Sequence, residues 1–162
     1  ADSPRFYLHE GLGLKIILDV EYPGEEELVV NADDSEKFTD EDLTLSGTNT
    51  EEDARIISYS WSVGDGLLKF VWGTSAAAGN PTPPTTVTYG DNEITVKFSE
   101  VQSDAAIGSD GEFEAVLTGI VERVTGTRTG AESTYVFHLS ENSLYRVSRS
   151  VSPNQVVLEI HL

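Results

Sequence analysis

The sequence predicts an all-β protein folded as a two-sheet antiparallel β-sandwich. Apolar and polar residues alternate along most of the 162-residue chain, which is the period of strands with one buried face. Gly, Asn and Asp interrupt the alternation at short intervals, as turns between strands do. Twelve strand-length segments are too many for one small sheet and fit two packed sheets. We therefore expect a single domain over residues 1–162, in which residues 1–10 can form a detachable N-terminal strand.

The alternating segments place the expected strands in order along the chain. Helix is expected only as a short turn, near Ser35–Asp42 or Asn49–Ala54, where acidic residues follow a Ser or Thr able to cap it. The predicted strands are Arg5–His9, Leu14–Tyr22, Glu27–Asn31, Leu43–Ser46, Ile56–Val63, Leu67–Trp72, Thr86–Tyr89, Glu93–Ser99, Glu112–Thr125, Ser133–Ser140, Tyr145–Ser150 and Gln155–His161.

The clearest local signal is a hairpin over Ile56–Trp72. Two alternating segments flank Gly-Asp-Gly, and Asp-Gly in that position is typical of a two-residue hairpin turn. Turn chemistry explains Asp65, and a ligand carboxylate is the alternative interpretation. We expect Trp61 to be buried between the sheets, because large aromatic side chains in such strands usually pack in the core.

A proline-rich stretch, Gly73–Thr85, separates this hairpin from the next predicted strand. Proline has no amide donor and is disfavoured in central strands. The stretch is therefore expected to be an exposed loop.

The charge of the chain limits its partners. With 28 acidic residues against 10 Lys or Arg, the formal net charge is −18, which repels nucleic acid and anionic lipid. No apolar run approaches the roughly 20 residues that span a bilayer. The chain has no cysteine, so no disulfide supports the fold. It begins Ala-Asp-Ser-Pro, which fits a secreted protein after signal-peptide removal or a cut fragment.

A dense acidic cluster predicts a calcium site. Six acidic residues fall within Asp33–Asp42, and calcium takes six to eight oxygen ligands, often from loop carboxylates. A solvated acidic face, adapted to high salt, is the alternative. The candidate metal ligands are Asp33, Asp34, Glu36, Asp40 and Asp42.

Four strand-like segments follow one another in the middle of the chain: Leu43–Gly47, Ile57–Gly66, Thr86–Gly90 and Ile94–Phe98. In this order they resemble the polycystic-kidney-disease (PKD) domain, an immunoglobulin-like sandwich of extracellular proteins. Ser62 and Val63 stand where that family has Asp and Phe, so the match is partial. The resemblance implies an immunoglobulin-like fold and a cell-surface or secreted location.

A second set of segments lies toward the ends of the chain: Gly13–Val20, Phe113–Leu117, Tyr145–Val147 and Pro153–Ile160. These segments resemble AMIN-type domains, β modules of bacterial envelope proteins implicated in cell-wall targeting. This resemblance also implies an extracytoplasmic β module.

The N-terminal segment Arg5–His9 suggests a mode of assembly. Gly-Leu-Gly separates it from the next predicted strand, and such a segment can add to an exposed sheet edge of a neighbouring subunit. Phe6, Tyr7 and Leu8 are the candidate contact residues. Alternatively, the segment is an edge strand of its own sheet.

No catalytic motif is present: the chain lacks a Gly-x-Ser-x-Gly elbow, a His-Glu-x-x-His pair and a Gly-rich phosphate loop. We therefore expect a non-enzymatic structural or adhesive module, secreted or on the cell surface, whose partners are other protein subunits, surface proteins or itself. One alternative is a carbohydrate- or cell-wall-binding module with Trp72 and Tyr89 as stacking platforms. A hydrolase with paired carboxylates is the other.

Overall fold

The computed structural model describes residues 5–10, 16–21, 37–47, 54–75, 82–109, 111–151 and 153–162, with backbone only at 5–10, 16–21 and 151. The described residues form thirteen strands and no helix. No helical turn occurs at residues 37–42, where Thr39 instead forms a β-bridge.

Most of the strands coincide with the alternating segments of the sequence. In chain order they are β1 (Arg5–Glu10), β2 (Ile16–Glu21), β3 (Leu43–Leu45), β4 (Ala54–Gly64), β5 (Leu67–Ser75), β6 (Thr85–Gly90), β7 (Glu93–Phe98), β8 (Val101–Asp104), β9 (Glu112–Val116), β10 (Val121–Thr129), β11 (Glu132–Leu139), β12 (Tyr145–Val151) and β13 (Asn154–His161).

Two large sheets form the body of the protein. One has six strands in the order β3-β6-β7-β11-β10-β9, and the other has five in the order β12-β13-β5-β4-β8. Strands β1 and β2 form a separate antiparallel pair. Every pairing among the described strands is antiparallel except that between β4 and β8. The prediction of an all-β, mainly antiparallel fold with two sheets is confirmed.

The core lies between the two large sheets and is rich in aromatic residues. Trp72 of β5 packs edge-on against Phe98 of β7 and Tyr135 of β11, with ring centroids 5.0 and 5.1 Å away. Phe70 of β5 meets Phe137 of β11 at 5.4 Å. These contacts join the sheets face to face as a β-sandwich, the arrangement that two half-buried sheets favour.

Two strand predictions need correction. The segment Glu112–Thr125, expected to be one strand, is divided into β9 and β10 by a reversal that contains Gly119 at a φ of 113°. Such a φ favours glycine over other residues. The short strand β8 was not predicted, and the predicted strand Glu27–Asn31 lies outside the described residues.

The proline-rich stretch is less exposed than expected where it is described. Strand β5 continues to Ser75, and β6 begins at Thr85. Thr82 and Pro83 are buried, and the Thr85 hydroxyl donates to the Pro83 carbonyl at 2.9 Å. The prediction of an exposed loop is therefore wrong at both described ends, while residues 76–81 lie outside the description.

Candidate functional site

The two lateral edges of the sandwich differ. At one of them, residues 38–47 lie across both sheets. Thr39 exchanges backbone hydrogen bonds with Tyr145 of β12, at 2.8 and 3.0 Å, and the Asp42 carboxylate accepts the Tyr89 amide of β6 at 2.8 Å. We call this the covered edge, because the segment satisfies polar groups of both sheets.

Two buried side chains fasten the covered edge. The Arg149 guanidinium donates to the Ser46 carbonyl and to the Thr82 hydroxyl, the latter at 3.3 Å. The Tyr145 hydroxyl donates to the Glu41 carbonyl. Burial raises the pKa of Tyr145 to about 12, and the nearby carboxylates of Asp42 and Glu41 contribute in the same direction.

At the opposite edge, β4 extends well beyond its neighbour. Strand β8 pairs only with Ala54–Ile56, and the Ala105 amide then donates to the Ile56 carbonyl at 2.8 Å. From Ser58 to Gly64, β4 pairs with β5 on one side, and no described residue pairs with it on the other. We call Ser58–Gly64 the open edge.

The carboxylate of Asp104 helps to end β8. One oxygen accepts the amide of Ala106 at 2.9 Å, two residues on, which turns the backbone away from β4. The other oxygen accepts the Tyr135 hydroxyl at 2.7 Å. Burial raises the pKa of Tyr135, and the Asp104 charge adds to the effect, so the hydroxyl stays protonated and can donate. Strand β8 therefore ends at Asp104, whose carboxylate is hydrogen-bonded to the core residue Tyr135.

A β-bulge decides which side chains of β4 face inward. The register between β4 and β5 shifts between Ile56 and Ser58. The alternation of inward-facing and outward-facing side chains is therefore reversed after the bulge. A Cβ atom added to Gly73 would lie 2.3 Å from the Ser58 hydroxyl oxygen and 3.7 Å from Ile57. A larger residue at position 73 would require the Ser58 hydroxyl to move, and Ile57 shares the outer face with Ser58.

Beyond the bulge, the apolar residues of β4 face the interior. Opposite residues of an antiparallel pair lie on the same face, and the partners of these residues are buried core residues of β5. The pairs are Tyr59 with Trp72, Trp61 with Phe70 and Val63 with Leu68.

The hairpin turn sets the direction of the backbone groups along the open edge. Asp65 and Gly66 have φ angles of 54° and 73°, as a type I′ turn requires. The prediction of the Asp-Gly hairpin is confirmed. Gly64 and Leu67, which flank the turn, form a hydrogen-bonded pair, and such pairs recur at every second residue. The intervening residues therefore direct their N–H and C=O groups away from β5, and these are Tyr59, Trp61 and Val63.

The same residues expose apolar surface. Tyr59 is 39% exposed, Trp61 42% and Val63 63%. The Trp61 ring lies parallel to that of Phe70 at 6.1 Å, and Tyr59 meets Phe113 of β9 edge-on at 5.1 Å. The prediction that Trp61 is buried is wrong, because neither β8 nor a described residue on that side extends far enough to cover it.

A shallow groove of about 420 Å³ adjoins Phe113 on β9 and β10. Its lining combines one aromatic ring with carboxylate and hydroxyl groups. The lining residues are Glu112, Phe113, Glu114, Thr125, Gly126 and Thr127. Phe113 borders the groove and also contacts Tyr59 of the open edge.

The predicted metal ligands are only partly described. Asp40 is exposed, and Asp42 accepts the Tyr89 amide in the covered edge. Asp33, Asp34 and Glu36 lie outside the described residues. Within the described part of the chain, no three acidic or histidine side chains are grouped to hold a metal ion. The calcium site stays a prediction.

The predicted assembly residues lie in β1. Phe6, Tyr7 and Leu8 pair with Val20, Asp19 and Leu18 of β2. The first predicted strand is thus hydrogen-bonded to the second within the same chain, and its insertion into a neighbour stays a prediction.

The two proposed stacking residues have different environments. Trp72 has no exposed surface, so its assignment to a ligand-stacking platform is wrong. Tyr89 is half-buried and stacks on Tyr145 at 6.1 Å. Among the residues whose side chains the structure describes, the exposed aromatic ones are instead Tyr59 and Trp61. The missed signal was the absence of any charged residue between Arg55 and Asp65, which distinguishes this strand within so acidic a chain.

Comparisons with protein-family models, with curated proteins and with solved structures find no match for this chain. Among the described residues, no helix has the length and apolar character needed to cross a membrane. The resemblances to PKD and AMIN-type domains stay predictions.

Proposed function

We propose that this protein is a non-catalytic structural or adhesive module, secreted or at the cell surface, that associates with other proteins by adding a strand to its open edge. The observation that carries the proposal is the length of Ser58–Gly64, which lacks a described partner on one side. Unpaired N–H and C=O groups in a row are a template for another strand.

The amino-acid composition of the open edge favours a role in strand addition over an edge that stays unpaired and has no function. Natural proteins usually protect long edge strands with Lys, Pro, inward-pointing charges or a covering loop. No Lys, Pro or charged residue occurs between Ile56 and Gly64. An added strand would pair with the outward backbone groups of Tyr59, Trp61 and Val63 while covering their exposed side chains.

The finer fold and location belong to the same proposal. An immunoglobulin-like sandwich related to PKD domains is the specific architecture that we propose, and it is supported by the two-sheet body and the Asp-Gly hairpin. Calcium bound near Asp33–Asp42 would add stability. The large negative charge favours protein partners over nucleic acid or anionic lipid.

A carbohydrate-binding module is the second candidate, because two exposed rings lie side by side. Tyr59 and Trp61 have centroids 6.2 Å apart and planes inclined by only 15°. Parallel aromatic faces suit the apolar faces of sugars.

Amide hydrogen exchange tests strand addition directly. A short, uncharged synthetic peptide of alternating valine and serine is added to dilute protein. We expect slower exchange at the amides of Tyr59, Trp61 and Val63. Val63→Pro should abolish this protection, because it removes a donor that points away from β5. Val63→Thr keeps the donor and the branched shape, so it should bind as the wild type does.

Two outcomes would contradict strand addition. Unchanged exchange at all three amides would reject it, as would equal binding of the peptide to Val63→Pro. If soluble β-linked oligosaccharides shift the Trp61 indole signal while the peptide has no effect, the carbohydrate-binding alternative replaces it.

A further inference from the structure

The open edge is free of charge in a strongly acidic chain. Arg55 and Asp65 bound a stretch, Ile56–Gly64, that contains no Asp, Glu, Lys, Arg or His. Over the whole sequence, acidic residues outnumber basic ones by 28 to 10. A partner strand with charged side chains would meet no opposite charges on the open edge, and its charged groups would lose hydration on pairing. An uncharged strand fits best.

Strand β4 is itself such a strand. Its inner face carries Tyr59, Trp61 and Val63, and its outer face carries serines at 58, 60 and 62. When two β4 strands pair antiparallel, opposite residues lie on one face. Apolar side chains would then meet apolar ones, and serines would meet serines. A two-fold symmetric contact of this kind is self-complementary.

We propose that the partner of the open edge is a second copy of this chain, with β4 paired antiparallel to β4 about a two-fold axis at Trp61. This inference rests on the proposed function, because it names the strand that the open edge receives. The two five-stranded sheets would then join into one continuous sheet, and neither open edge would stay exposed.

The length of the open edge determines the register. Trp61 is the midpoint of Ser58–Gly64, so an axis there pairs every residue of the stretch. Tyr59 then faces Val63 of the second copy as a hydrogen-bonded pair, since both direct their backbone groups outward. Ser60 faces Ser62 as a non-hydrogen-bonded pair, in which Cα atoms approach to about 4.5 Å.

The net charge predicts an unusual salt dependence. Two copies at −18 each repel one another over the rest of their surfaces. The Debye length falls from about 10 Å at 0.1 M salt to about 3 Å at 1 M, so salt removes the repulsion without weakening uncharged contacts. Dimerisation should therefore strengthen as sodium chloride increases, whereas a cationic partner would dissociate.

Cysteine cross-linking tests the register, since the chain has no cysteine of its own. Ser60→Cys and Ser62→Cys are prepared separately, mixed at high salt and oxidised. The expected Cα separation lies within the range that a disulfide spans. We expect a cross-linked dimer from the mixture and little from either variant alone. Sedimentation should show a dimer for the wild type and Val63→Thr, and a monomer for Val63→Pro.

The outcomes separate this inference from the proposed function. A wild-type monomer at high protein and salt concentration would overturn the second-copy inference, while peptide protection of the open edge would leave the proposed function standing. Efficient cross-linking by Ser60→Cys alone would place the axis at Ser60 and overturn the register. A dimer unaffected by Val63→Pro would overturn the use of β4. Failure of both dimerisation and peptide binding would reject both proposals.

Discussion

The covered and open edges differ in how far neighbouring segments extend along them. At the covered edge, residues 38–47 supply side-chain and backbone partners to both sheets. At the open edge, β8 ends after pairing with three residues of β4. The aromatic side chains Tyr59 and Trp61 are exposed where β8 no longer pairs with β4.

Substitutions at Trp72 and Trp61 should give the largest difference in the free energy of unfolding. Trp72 has no exposed surface and Trp61 is 42% exposed. Trp72→Ala should lower the free energy of unfolding by about 3–5 kcal/mol, because it creates a core cavity. Trp61→Ala should cost only about 1 kcal/mol, as substitutions outside the core usually do.

Urea denaturation measures both values. If Trp72→Ala fails to fold, Trp72→Phe and Trp61→Phe provide the milder pair and should keep the same order. Equal losses at the two positions would contradict the assignment of one ring to the core and the other to an exposed edge.

Calcium should strengthen the covered edge if it binds near Asp33–Asp42. A ligand at a hundredfold excess over its Kd adds about 2.7 kcal/mol to the stability of the native state. Thermal melting should therefore shift upward in calcium relative to chelator at constant ionic strength. Asp40→Asn should reduce the shift, and Asp91→Asn, in the turn between β6 and β7, is the matched control.

Equal melting temperatures with calcium and with chelator would contradict the calcium site. Stabilisation by sodium chloride to the same extent would indicate a salt-adapted acidic surface instead, because screening alone reduces repulsion among carboxylates.

Two glycines provide a more local comparison. A Cβ atom at Gly47, beside the covered edge, would lie 2.6 Å from the Pro84 ring and 2.8 Å from its nitrogen. Gly47→Ala should thus lower the free energy of unfolding by about 1–3 kcal/mol, the usual cost of overpacking. At Gly64, in the open edge, an added Cβ meets nothing within 4 Å.

Gly64→Ala should be neutral or stabilise the protein by as much as about 1 kcal/mol, since it restricts the unfolded chain. The midpoint of urea unfolding at an unchanged slope provides the measurement. A larger loss for Gly64→Ala than for Gly47→Ala would reverse the comparison and indicate that the open edge is already covered.

The strands were largely predictable from the sequence, whereas the edges were not. Alternation located most strands because it reports one buried face, and Asp-Gly located the hairpin turn because only few residues tolerate its φ angles. The early end of β8 involves Asp104, which is distant in sequence from β4. Strand order is a non-local property, so the exposure of Trp61 required the structure.

Alkaline pH should weaken the covered edge through Tyr145. Its pKa is raised to about 12 by burial and by nearby carboxylates, above the ordinary value of about 10. Between these values the native state keeps a proton that the unfolded state has lost, so the free energy of unfolding falls as pH rises. The stabilisation of the native state by this raised pKa is complete below about pH 10 and is lost as the pH rises through about 12.

Tyr145→Phe should lower the free energy of unfolding by about 1 kcal/mol at neutral pH, because it removes the hydrogen bond to Glu41. It should also make the alkaline decline shallower without abolishing it, since burial raises the pKa of Tyr135 as well. Urea unfolding from neutral to alkaline pH compares the two proteins. Parallel profiles would show that ionisation of Tyr145 does not contribute to the alkaline decline, and equal stability at neutral pH would show that its hydrogen bond does not stabilise this edge.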